Sequence, residues 1–120
     1  MADSQTSKRQ VGEVLEALEQ VIAARKGGDA GRSYTAKLLA GGATVAGEKL
    51  TEEAGELVRA AGAEADDRVV AEAADLVYHM LVLLACRDVS LERVEDELAR
   101  RFGVSGLAEK AARTAGGGFK

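Results

Sequence analysis

The chain has 120 residues and a net charge of −4, with 47% hydrophobic but only 3% aromatic residues and no proline. That length suits one ordinary domain, and an acidic balance without a long Lys/Arg cluster argues against non-specific nucleic-acid binding. The single cysteine, Cys86, excludes an intramolecular disulfide and a multi-cysteine zinc site; within LVLLACR it reads as a buried structural thiol.

A core drawn from Ala, Val and Leu, with few β-branched or aromatic runs, predicts an all-α fold, a helical bundle of four to six helices. No segment reaches the about 18 apolar residues of a bilayer span. The polar start MADSQTSKRQ lacks the apolar stretch of a secretory signal. The expectation is a cytoplasmic protein with no membrane or nucleic-acid partner.

In chain order, residues 1–9 are expected to fray, a single domain to occupy 10–113, and AGGGFK to leave a flexible tail over 114–120. A first helix is predicted over 10–26, where Val11, Val14, Leu15, Leu18, Val21 and Ile22 recur at helical spacing. KGGDAG breaks it. Ser33 is placed to cap a short helix carrying YTAKLLA, which Gly41 and Gly42 end. A third helix is predicted over 44–61 and stopped by Gly62. The fourth, over 67–87, opens with carboxylates that suit its N-terminal end. It then becomes apolar nearly all round in LVYHMLVLLAC, which suits a core or a subunit interface. Ser90 should cap a fifth helix, LERVEDELARRF, and SGLAEKAART is compatible with a last short one.

The chemistry-bearing pattern is acidic. In KLTEEAGELVRAAG, Glu53 and Glu56 stand three apart on one helix face and Glu52 lies nearly on it. In EAADLVYH, Glu72 and Asp75 repeat that spacing on the next helix. A short connector makes the two helices antiparallel, so the pairs can face one another across a groove. Like charges this close repel. A divalent cation offsets the repulsion, and carboxylates alone supply hard oxygen ligands suited to Mg²⁺ or Mn²⁺. Either stretch taken alone usually reads as a solvated helix face; the two together, on consecutive helices with an apolar backing, make a metal site and a solvated face equal readings.

Four stretches, RSYTAKLLAGG, KLTEEAGELVRAA, EAADLVYHMLVLL and VEDELARR, in this order and at these separations, resemble the phosphoribosyl-ATP pyrophosphohydrolase family. This is part of the all-α nucleotide pyrophosphohydrolase (MazG-like) superfamily, and the resemblance covers about residues 11–113. The acidic pairs belong to the superfamily at large, whereas SYTAKLL and DLVYH single out the family. One departure is visible. Where the family commonly carries lysine-lysine-valine-glycine before the paired glutamates, this chain has EKLT, so Lys49 keeps the second lysine and Glu48 replaces the first.

The resemblance implies hydrolysis of phosphoribosyl-ATP to phosphoribosyl-AMP and pyrophosphate, the second step of histidine biosynthesis. It also implies a Mg²⁺ site built from Glu53, Glu56, Glu72 and Asp75. Beside Glu53 and Glu56, Glu52 is the candidate further ligand or water-orienting base. Candidate substrate contacts are Arg32, Ser33, Tyr34, Thr35, Lys37 and Lys49, each with an ordinary structural alternative: a cap for Ser33, core packing for Tyr34, solvated surface for the cations. His79 reads as a satisfied core histidine within reach of Asp75, not as a metal ligand, and Tyr78 and Met80 as structural. Arg100 and Arg101 suit the end of the fifth helix. So much apolar helix in so short a chain predicts a homodimer, and the resemblance implies one too. Two alternatives stay open: a housecleaning pyrophosphohydrolase for nucleoside triphosphates or deoxyuridine nucleotides on the same fold, and a helical dimerisation module without catalysis.

Overall fold

The computed structural model describes residues 12–103. The expected frayed start, the last short helix and the tail lie outside them, and the expected 10–113 domain extends past them at both ends. Every regular element among the described residues is α-helical: α1 (Glu13–Arg25), α2 (Tyr34–Ala63), α3 (Asp66–Cys86) and α4 (Leu91–Phe102). The first three lie in a compact unit that ends at Asp88; α4 belongs to a second that begins at Val89.

The apolar spacing read for α1 buries Ile22, with Leu15 and Leu18 half-buried, while Val14 and Val21 remain exposed. Its C-terminal end is tied to that of α3. The Lys26 ammonium donates to the Ala85 carbonyl at 2.8 Å and to the Asp88 carboxylate at 2.6 Å. That second bond holds Asp88 in the left-handed backbone region (φ 55), which Asp tolerates better than most residues.

Ser33 begins α2 as expected: its backbone is extended and its hydroxyl accepts the Ala36 N–H at 3.1 Å. The predicted break at Gly41 and Gly42 is present as a sharp kink with helix on both sides. Gly42 takes φ 79 and ψ −176, a region essentially reserved for glycine. At Gly41 an added Cβ would stand 2.8 Å from the Cβ of Val45, so the preceding residue must be small too. The kink redirects the chain. Lys49 follows Tyr34 by fifteen residues, about 22 Å along a straight helix, yet the Tyr34 phenol feels the charges of Lys49, Glu52 and Glu53.

Beyond the kink α2 runs past the expected stop at Gly62, ends at Ala63 and is closed by the Glu64 N–H on the Ala60 carbonyl at 2.8 Å. Gly62 needs no positive φ there, because the chain leaves through extended Glu64 and Ala65. This two-residue connector sends α3 back antiparallel along α2. Ala46 and Ala60 are buried on α2, and Leu81 and Val82 on α3. The small side chains let the helices approach closely.

One sequence expectation is corrected by α3. Its 21 residues are long and apolar enough, by length and composition, to cross a membrane. Glu72 and Asp75 interrupt its apolar run. The core helix of a soluble protein meets the same criterion, and α3 packs along α2 while burying Glu72 and His79. In the second unit, Ser90 caps α4 by accepting the Arg93 N–H at 3.3 Å, and Gly103 closes it in the left-handed conformation.

Candidate metal and phosphate site

The antiparallel pairing of α2 and α3 brings three carboxylates together. Glu53 and Glu56, one turn apart on α2, and Glu72 on α3 each offer an oxygen, and these oxygens lie within 4.8 Å of one another. Burial is graded across the group: Glu56 is exposed, Glu53 half-buried, and Glu72 only 6% exposed. Arg68, one turn before Glu72, binds Glu72 Oε2 and reaches Glu64 at 3.5 Å. The other Glu72 oxygen, Oε1, and Glu53 Oε1 are buried without a hydrogen-bond partner. Burial foremost, then the Glu56 carboxylate, push the Glu72 carboxyl above its usual range, with Arg68 opposing.

Two orphaned carboxylate oxygens are costly unless something positive meets them. The donor set is all oxygen and carries formal negative charge, which fits a hard divalent cation such as Mg²⁺ or Mn²⁺.

The other predicted residues fall into place unevenly. Asp75 stays exposed and outside the group of three: its side chain is shorter than glutamate and it sits one turn beyond Glu72. Glu52 is also outside. It is turned about 100° from Glu53 around the helix, and the Lys49 ammonium donates to its Oε1 at 3.1 Å. That bond, with smaller help from Tyr34, raises the Lys49 pKa. Lys49 thus bonds Glu52 directly and is coupled through charge to Tyr34 and Glu53. Lys37 is exposed, and Arg32 is exposed with only a distant Asp29 partner at 3.9 Å. Ser33 is committed to its cap and also accepts from the Arg25 guanidinium at 3.3 Å. Arg100 and Arg101 both bind Glu97 within α4.

Two arrangements escaped the sequence reading. The Tyr34 hydroxyl meets His79 Nε2 at 3.2 Å, and the Thr35 hydroxyl meets the Tyr78 hydroxyl at 2.5 Å. SYT at the start of α2 is thereby joined to YH late in α3. No local spacing announces a contact across more than forty residues. The Arg68–Glu72 pair was accessible, because Arg and Glu four apart on a helix are neighbours.

Helical hairpin and carboxylate cluster together define a class: an all-α protein with an acidic centre whose oxygen donors suit a hard divalent ion. Comparison with known proteins narrows it. The family model described as phosphoribosyl-ATP pyrophosphohydrolase matches residues 15–102. A Caulobacter sp. (strain K31) protein named phosphoribosyl-ATP pyrophosphatase is 59% identical over 101 residues, 84% of this chain and 94% of that protein. Proteins of the same name from Parvibaculum lavamentivorans and Dinoroseobacter shibae are 57% and 52% identical, over 82% and 83% of this chain and 91% and 98% of their own lengths. The chain belongs to the phosphoribosyl-ATP pyrophosphohydrolase family.

Proposed function

We propose that Glu53, Glu56 and Glu72 hold the Mg²⁺ with which this chain carries out its family's reaction, hydrolysis of phosphoribosyl-ATP to phosphoribosyl-AMP and pyrophosphate in histidine biosynthesis. The observation that carries the reading is the pair of buried, unpartnered oxygens, Glu53 Oε1 and Glu72 Oε1, within a cluster of three carboxylates. When bound, Mg²⁺ supplies charge neutralisation on the phosphate chain and an acidified water. Mn²⁺ offers the same chemistry.

The protein's own residues do the rest. Arg68 holds one Glu72 oxygen and leaves the other directed to the cluster. Asp75, one turn along α3, joins the ligand set by a side-chain rotation. Lys49, exposed Lys37 and Arg32 attract the phosphates, with Lys49 nearest the acidic group. Tyr34 and Thr35 border the nucleotide, and Ser33 caps the helix that carries them. Glu52, with Oε1 engaged by Lys49, orients the attacking water through its second oxygen.

The protein acts in the cytoplasm as a homodimer. Val58 and Val70, 70% and 67% exposed, and the half-buried Leu76, Val77, Met80, Leu83 and Leu84 of α3 leave apolar surface for a second copy.

The test is pyrophosphate release from phosphoribosyl-ATP with and without Mg²⁺. Turnover that needs Mg²⁺, falls at least about a hundredfold in Glu56→Gln and is weak on ordinary deoxynucleoside triphosphates supports the reading. Preference for those triphosphates would favour the housecleaning alternative, and no turnover of either the non-catalytic module.

A further inference from the structure

His79 is buried, 5% exposed, yet both of its ring nitrogens are used. Nδ1 lies 2.7 Å from the backbone carbonyl of Asp75, which can only accept, so Nδ1 carries the proton. In the neutral ring Nε2 is then an acceptor, and among the described residues the Tyr34 hydroxyl at 3.2 Å is the donor that meets it. Tyr34 has that proton to give: desolvation raises its pKa although Lys49 opposes the shift. The rings reinforce the arrangement. Tyr78 stands edge-on to His79 with centroids 4.8 Å apart, and Tyr34 edge-on at 6.1 Å. Tyr34 is nevertheless 51% exposed, on the side of the molecule where Lys49, Glu52 and Glu53 lie.

We propose that His79 is a positioning residue: by taking the Tyr34 proton inward it leaves Tyr34 Oη facing the nucleotide as an acceptor, for a ribose hydroxyl of the substrate. A hydroxyl with its proton committed inward repels phosphate oxygens and accepts from donors. The phosphate chain has its own partners in the carboxylate-bound cation and Lys49. The donor nearest that chain in any nucleotide is on the ribose. This inference rests on the proposed reaction for its substrate, but not for the hydrogen-bond direction.

Two readouts separate the parts. In the full-length protein, ¹⁵N spectra of the imidazole are expected to show a neutral ring protonated at Nδ1, and Tyr34→Phe to shift the Nε2 resonance. This reading holds or fails whatever the substrate. In kinetics, Tyr34→Phe and His79→Leu should each raise KM for phosphoribosyl-ATP about threefold to tenfold, the worth of one hydrogen bond. Both should keep kcat and Mg²⁺ affinity within twofold, and the double variant should be no worse than the worse single. With 2′-deoxy and 3′-deoxy analogues of the adenylate ribose, one of the two should lose the effect of Tyr34→Phe. A ring protonated at Nε2, additive single effects, a loss in kcat instead of KM, or an undiminished effect with both analogues would overturn the proposal. Absence of all turnover in wild type would instead refute the proposed reaction, with the spectra still deciding the tautomer.

Discussion

Glu53 and Glu72 come from helices that run in opposite directions, yet each buries one carboxylate oxygen, Oε1, with no hydrogen-bond partner, inside one cluster with Glu56. A fold does not keep two such oxygens together for stability, since desolvated like charges oppose it. Their proximity makes sense as a receptor for positive charge, which ties the metal proposal to a cost visible in the protein itself.

That cost can be measured. In Glu53→Gln the metal-free protein should melt no lower than wild type, because a crowded carboxylate has been neutralised. Wild type should gain about 2.7 kcal/mol when Mg²⁺ exceeds its Kd a hundredfold, and Glu53→Gln should gain little at the same concentration. Thermal melts with EDTA and with Mg²⁺ read both effects, and equal gains in the two proteins would contradict the assignment.

The kink in α2 makes a second prediction. Gly42→Ala must adopt φ 79 with a Cβ and should lose about 1–3 kcal/mol in urea unfolding. Gly47→Ala, where an added Cβ meets nothing within 4 Å and φ is ordinary, should be neutral or gain up to about 1 kcal/mol.

Ser33 separates a cap from a substrate contact. Ser33→Ala should lose about 1 kcal/mol of stability while KM for phosphoribosyl-ATP stays within twofold, because the hydroxyl is already occupied by the Ala36 N–H and the Arg25 guanidinium. Ser33→Asp, which keeps the cap, should restore most of the loss.

In α4, hydrogen bonds from Arg100 and then Arg101 lower the Glu97 pKa to about 2. A depressed carboxylate contributes stability that is fully present above its ordinary value of 4.5 and is lost as pH falls through about 2. The carboxyl ¹³C shift of Glu97 should therefore titrate near 2, and helical signal from α4 should decline between those limits. Because the Glu97 side chain is 43% exposed, added salt should move the midpoint back toward 4.5, and the effect on overall stability should be small.

Much of this was legible before any coordinates. Among the described residues, period and capping signals located the helices to within about three residues, with Ser33 and Ser90 as caps and Gly41–Gly42 as a break, because these are local effects. The spacing of Glu53 and Glu56 and a short connector were enough to anticipate that Glu72 would face them. What periodicity does not carry is register and rotamer. Asp75 shares Glu72's helix face yet stays out of the cluster, and Glu52 is engaged by Lys49, its neighbour three residues back. The contacts of Tyr34 with His79 and of Thr35 with Tyr78 depend on how sharply Gly42 folds the chain, which no spacing reveals.

The most direct test of the central claim is a calorimetric Mn²⁺ and Mg²⁺ titration of wild type and Glu72→Gln, each in a metal-free state. The account predicts saturable heat in wild type and at least about a tenfold to hundredfold weaker binding in the variant, whose fold stays intact by circular dichroism. Equal binding by both proteins, or no binding by wild type even with the nucleotide substrate present, would contradict it.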